Sequence, residues 1–120
     1  MRFADAESLV LTFIKARIGS TDIGTKVANP LPTKYVRAWV NGGSASNRVL
    51  ERVQITVDVW AGSTVDASDL IGNIRHAFLN EYAQMPLVRG VEEIPRPYFN
   101  PDGDRDRYRF TVALMIRAAR

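Results

Sequence analysis

The stretch RVLERVQITVDVW, residues 48–60, decides the fold. Within it Val53, Ile55, Val57 and Val59 alternate with Gln54, Thr56, Asp58 and Trp60. Successive side chains of a strand point to opposite faces, so a period of two marks a strand with one apolar face. Gly62, Ser63 and Thr64 end that pattern and cap the next element. Beyond them Ala67, Leu70, Ile71, Ile74, Ala77 and Phe78 recur at helical spacing, which predicts a helix from about Val65 to Tyr82 that stops before Pro86. Burying Leu70, Ile74 and Phe78 would contribute roughly 1.5–3 kcal/mol each, while Gly72 in the helix interior costs about 1 kcal/mol relative to alanine.

Upstream, Tyr35 to Asn41 alternates like a second strand, and Gly42-Gly43-Ser44-Ala45-Ser46-Asn47 reads as a flexible hairpin loop between the two. Before it lie Pro30 and Pro32, a short extended piece around Lys26 to Ala28, and a loop from Gly19 to Thr25. Asp5 can cap an initial helix running to about Ile18, with Ala6, Val10, Phe13 and Arg17 on one side and Leu9, Ile14 and Ile18 widening the stripe. Downstream come a strand near Val88 to Ile94, a loop over Pro95 to Arg105, and a last strand from Arg107 to Arg117. That strand carries Tyr108, Phe110, Val112, Leu114 and Ile116 on one face. The order predicts a single α+β domain over residues 1–120: a mostly antiparallel sheet of four to five strands with two helices packed on one face.

Composition excludes several classes of chemistry. The 120 residues include no cysteine, which removes disulfides, thiolate zinc sites and a cysteine nucleophile together. The net charge is +3, with eight Lys/Arg against five Asp/Glu up to residue 60 and eight against eight thereafter. Signs alternate locally, as in Asp104-Arg105-Asp106-Arg107, whereas a nucleic-acid binder concentrates its basic residues on one stripe. No apolar run approaches the length that spans a bilayer, and Asp5 and Glu7 precede the first apolar stretch where a signal peptide would be basic. A cytosolic protein is the expectation.

The candidate chemical sites fail one by one. His76 is the single histidine, and no carboxylate stands at the spacing of a metal-binding helix. Asp102, Asp104 and Asp106 have the one-three-five spacing of a calcium loop, but Arg107 and Ala113 stand where that loop needs glycine and glutamate. Gly42-Gly43-Ser44 lacks the lysine of a phosphate-binding loop, and neither Ser44 nor Ser46 sits in a nucleophile elbow. Glu92 and Glu93 are adjacent, so on a strand they face opposite ways and cannot act as a pair. The reading is a protein that is not an enzyme and needs no metal or cofactor.

What remains is the second face of the sheet. If the valines meet the helices, the other side carries Gln54, Thr56, Asp58, Trp60, Arg109, Thr111, Ala113 and Met115. Arg37 and Trp39 join them if Val36, Ala38 and Val40 point inward. Tryptophan, methionine and arginine are the types enriched where proteins meet. Arg37, Trp39, Trp60, Arg109 and Met115 are therefore the candidate subunit contacts. The two polar excursions supply candidate docking loops: Gly42, Gly43, Ser44, Ser46 and Asn47 in one, Asp102, Asp104 and Arg105 in the other.

Taken in order, several pieces look familiar: the initial helix, Pro32-Thr33-Lys34-Tyr35-Val36-Arg37, the Gly42-Gly43 turn, and Val53-Gln54-Ile55-Thr56-Val57-Asp58-Val59-Trp60-Ala61. A helix with Asp69-Leu70 and Ile74-Arg75 follows, then Val88-Arg89-Gly90-Val91-Glu92-Glu93 and Arg107-Tyr108-Arg109-Phe110-Thr111-Val112. Through nearly its whole length the chain resembles the tail terminator, or tail completion, proteins of long-tailed bacteriophages. The resemblance implies a structural virion protein of the tail–neck region, assembled in the host cytoplasm as a ring, usually a hexamer. Such a ring binds the last ring of tail tube protein, blocks further polymerisation and presents its other side to the head completion or connector protein. DNA only passes through its lumen, and no cofactor or membrane is involved. Two other readings stand beside it: another neck ring protein of the head-completion or connector class, and a nucleic-acid-binding α/β module. The second lacks the aromatic-rich strand motif of an RNA-recognition domain.

Overall fold

A computed structural model describes residues 5–45 and 47–118. Helix α1 covers Ala6–Lys15, strand β1 Asp22–Gly24, β2 Tyr35–Ala45 and β3 Leu50–Trp60. Helix α2 covers Thr64–Glu81 and runs into a 3₁₀ turn over Tyr82–Gln84; β4 (Val88–Glu93), β5 (Tyr98–Phe99) and β6 (Arg107–Arg117) complete the chain. The fold is α+β, with two helices and a six-stranded sheet in which five strands run in the order β1-β2-β3-β6-β4 and β5 also pairs with β6. All pairings are antiparallel except β1 with β2. The sheet thus has one strand more than the upper count read from the sequence. Both β3 and β4 run antiparallel to β6, so they are parallel to each other, and α2 is the crossover between them.

The alternating residues of β3 and β6 build the core as their spacing requires. Ile55, Val57 and Val59 of β3, with Phe110, Val112, Leu114 and Ile116 of β6, are fully enclosed on the helix side. Ala67, Leu70, Ile71, Ile74, Ala77 and Phe78 of α2 close over them, joined by Val10, Phe13 and Ile14 of α1. Three rings run through the centre: Phe78 lies 5.3 Å from Phe13 and 6.1 Å from Phe110, centroid to centroid.

Side-chain caps fix both helix starts. Ser8 N–H donates to Asp5 Oδ1 (3.2 Å) and Asp66 N–H to Ser63 Oγ (3.1 Å). Helix α1 ends at Lys15, three residues before Ile18, as the chain turns out through Gly19 at φ 62°. Arg17 then ties the far ends of the two helices together. Its Nη1 donates to Phe13 O (2.7 Å), its Nε to Glu81 (2.9 Å) and its Nη2 to Gln84 (2.5 Å).

The two edges of the sheet differ. Strand β1 is only three residues long and covers β2 over Tyr35–Arg37 alone, so no described strand pairs the outer side of β2 beyond Arg37. On the other side β4 and β5 lie along the same edge of β6, separated by Pro95-Arg96-Pro97. Proline cannot donate to a ladder, so this second edge is interrupted.

The hairpin differs from its sequence reading. Strand β2 does not stop at Asn41; pairing resumes after a register shift between Val40 and Gly42 and continues through Gly42↔Gln54, Gly43↔Val53, Ser44↔Arg52 and Ala45↔Glu51. Gly42, Gly43 and Ser44 therefore belong to a strand rather than a flexible loop. Gly43 is at φ 128°, and a Cβ there would stand 2.2 Å from the Arg52 carbonyl oxygen, so only glycine lets the strands close. Asn47 sits in the tip, where its side chain accepts from Val49 N–H at 2.9 Å. Ser46 lies outside the described residues. No described helix is long and apolar enough to cross a membrane.

Candidate functional site

Strand registry assembles the open face in rows. Tyr35, Trp60 and Arg107 form one row across β2, β3 and β6; Arg37, Asp58 and Arg109 form the next; Trp39, Thr56 and Thr111 the third. Rows on one face lie about 7 Å apart. No described helix covers this side, yet its middle is closed to water. Asp58 is 0% exposed, Thr56 2% and Ala113 is also buried. The long side chains of the flanking strands lie down over the central one.

Asp58 is the keystone. Both of its oxygens accept from Arg109, Nε to Oδ1 at 2.7 Å and Nη2 to Oδ2 at 2.9 Å. This fork-to-fork geometry is the strong form of a charge-assisted hydrogen bond. The bonds it donates to Asp58 hold the Arg109 guanidinium above its ordinary pKa, so it stays cationic. On the other side Arg37 donates its Nε to Thr25 O at 3.1 Å and lays its guanidinium on the Trp39 indole, 3.7 Å from the ring centroid. The Arg109 guanidinium is 5.6 Å from the same ring. Trp39 is thus flanked by two cations, both within cation–π range. Among the described residues Arg37 makes no salt bridge, so the cluster holds two guanidiniums and one carboxylate, and Arg109 takes that carboxylate.

Of the residues read as subunit contacts, Arg37, Trp39 and Arg109 come together here. Trp60 does not belong with them. It is 0% exposed, packs on Tyr35 at 5.9 Å, and donates its indole N–H to Asp102 Oδ2 at 3.2 Å. Arg107 covers it from above at 5.6 Å. Trp60 props up a turn inside the subunit and has no surface to offer a neighbour. Met115 is half-buried and paired with Arg52 and Gly90, two rows beyond Thr111 and so about 13 Å from it. Tyr98 was not singled out by the sequence, because a two-residue strand carries no periodicity. It is exposed opposite Arg109 and borders the cluster.

The two candidate docking segments lie at opposite ends of the sheet, and the subunit measures 44 Å along its longest axis. Gly42, Gly43, Ser44 and Asn47 are exposed at one end. At the other, the segment before β6 is no free excursion. Asp102 and Arg105 exchange backbone hydrogen bonds (3.0 and 2.9 Å) around Gly103. Arg105 donates to Pro32 O (2.7 Å) and Thr33 O (3.2 Å), and Asp102 receives Trp60. Asp104 is exposed on the tip.

The remaining polar groups serve packing. Glu92 pairs with Arg52 on the open face at 3.3 Å, whereas Glu93 faces the helices and takes Arg75 bidentately at 2.5 and 3.1 Å. His76 is exposed and exchanges a hydrogen bond with Asn80. Among the described residues no three of His, Asp and Glu gather where they could hold a metal ion. An apolar groove of about 290 Å³ runs between α1 and the 3₁₀ turn, lined by Leu9, Phe13, Met85 and Pro86. No protein-family model and no curated protein matches the chain.

Proposed function

We propose that this protein is a structural assembly subunit: a tail terminator that forms a ring on the tube of a long-tailed bacteriophage, halts tube polymerisation and presents its far side to the head connector. The observation that carries this reading is the ordered Arg37–Trp39–Arg109 cluster fixed over Asp58 on an uncovered sheet face. Arginine and tryptophan anchors held in place before contact lose little freedom on binding. One further feature supports it: the hairpin and the Asp102 turn give one subunit two separate poles. A base-stacking module fits less well, because Arg37 already occupies one face of Trp39.

The test mixes purified protein with purified tail tubes and with tube subunits able to extend them. Electron micrographs are expected to show a ring on one tube end, and capped tubes are expected to stop growing. Tubes that lengthen at an unchanged rate in a molar excess of the protein overturn the reading.

A further inference from the structure

The open face has a match on the same molecule. Helix α2 turns toward solvent Val65, at 68% the most exposed large apolar side chain described, together with Asp66 and Asp69. Val65 and Asp69 are four residues apart, one above the other on the helix, and Asp66 flanks them. Neither aspartate makes a salt bridge among the described residues, and the one Lys or Arg of α2, Arg75, is held by Glu93. This knob is therefore apolar with negative charge that no described side chain pairs. The sheet face is the converse: an indole edged by two guanidiniums with a single carboxylate between them. Gly72, one turn beyond Asp69, meets nothing within 4 Å of its Cβ position, so no side chain stands in the way of close approach.

We propose that the Arg37–Trp39–Arg109 face of one copy receives the Val65–Asp66–Asp69 knob of a second copy. Val65 packs on the indole, and the aspartates meet the guanidiniums, with Arg37 contributing the charge that Asp58 does not satisfy. The two surfaces lie on opposite layers of the subunit, so the contact is head-to-tail and leaves each new copy with a free face, as a ring or filament requires. The proposal rests on the assembly reading above and names its subunit contact.

Sedimentation velocity of the full chain over a wide concentration range tests it. Arg37→Glu and Asp69→Lys are each expected to weaken self-association about tenfold or more, and the two together in one chain to bring it back within about threefold of the parent. Thermal melts accompany each variant. Should Arg37→Glu melt early, Asp66→Lys/Asp69→Lys, which alters only exposed helix positions, must weaken association alone. Single reversals without effect, a double variant no better than the worse single one, or a parent chain that stays monomeric throughout each overturn this contact. The assembly reading fails separately, when the parent chain does not cap tubes. A chain that caps tubes yet ignores both reversals refutes the contact only.

Discussion

Replacing Arg109 by methionine is the sharpest probe of the open face. Methionine keeps an unbranched stem but removes both hydrogen bonds to Asp58. The carboxylate is then left with no exposure and no partner, because Arg37 is engaged with Thr25 and Trp39. Breaking a buried pair in this way costs about 3–5 kcal/mol. Arg109 itself is 29% exposed, so water screens part of the lost attraction and the lower end applies, about 3 kcal/mol. For a chain of this length that lowers Tm by about 12 °C. Removing both partners, as in Asp58→Val/Arg109→Met, leaves no orphaned charge and is expected to recover more than half of the loss. Urea unfolding and calorimetry on the parent, the two single variants and the double variant give the coupling energy directly. A loss below about 1 kcal/mol for Arg109→Met would mean that Asp58 is hydrated, and the keystone argument would fall.

Three other outcomes follow from the geometry. Phe78→Ala removes the ring that joins Phe13 to Phe110 and is expected to destabilise by about 3–5 kcal/mol in urea unfolding. Gly43→Ala drives a methyl against the Arg52 carbonyl at positive φ; about 1–3 kcal/mol of stability and faster amide exchange from Gly42 to Ala45 are expected to go together. Burial, with Asp22 beside it, holds the Tyr35 phenol above its ordinary pKa of 10.0. The neutral phenol is favoured in the fold, so this contribution is whole below about pH 10 and fades as pH rises beyond it. Tyr35→Phe is expected to lose the bond to Lys26 O, about 1 kcal/mol, while the parent phenol is neutral, and to show a shallower decline above pH 10 than the parent, whose phenolate can no longer donate.

The fold was legible wherever one face is apolar and long. Every inward residue named for α2 and for β6 lies where its spacing puts it, and Arg107 to Arg117 carries the same bounds in sequence and structure. Short or unusual pieces were not. Three residues of β1 and two of β5 cannot show a period, so the parallel pairing of Asp22–Gly24 and the landing of Tyr98 on β6 have no local signature. The glycines of the hairpin read as a turn because their composition is that of a turn; they are instead the condition for two strands to approach.

Half of the candidate site was visible for a related reason. Alternation names which residues share a face and says nothing about what lies over them. Arg37, Trp39 and Arg109 therefore emerged from the pattern, while Asp58 and Trp60, polar or amphipathic residues on a face read as open, turned out to be enclosed. Their burial depends on cross-strand neighbours 21 to 51 residues away, and only strand order supplies those.

Arg17 has a mechanical consequence. One guanidinium fastens the last turn of α1 to the tail of α2, so the helical layer is pinned at one corner as if by a rivet. A load applied to the front of α2 has to break the bonds to Glu81 and Gln84 before the two helices slide apart at that corner. It passes across the layer to α1 and, through Glu7, which accepts from the Val40 backbone N–H, into the base of the long hairpin.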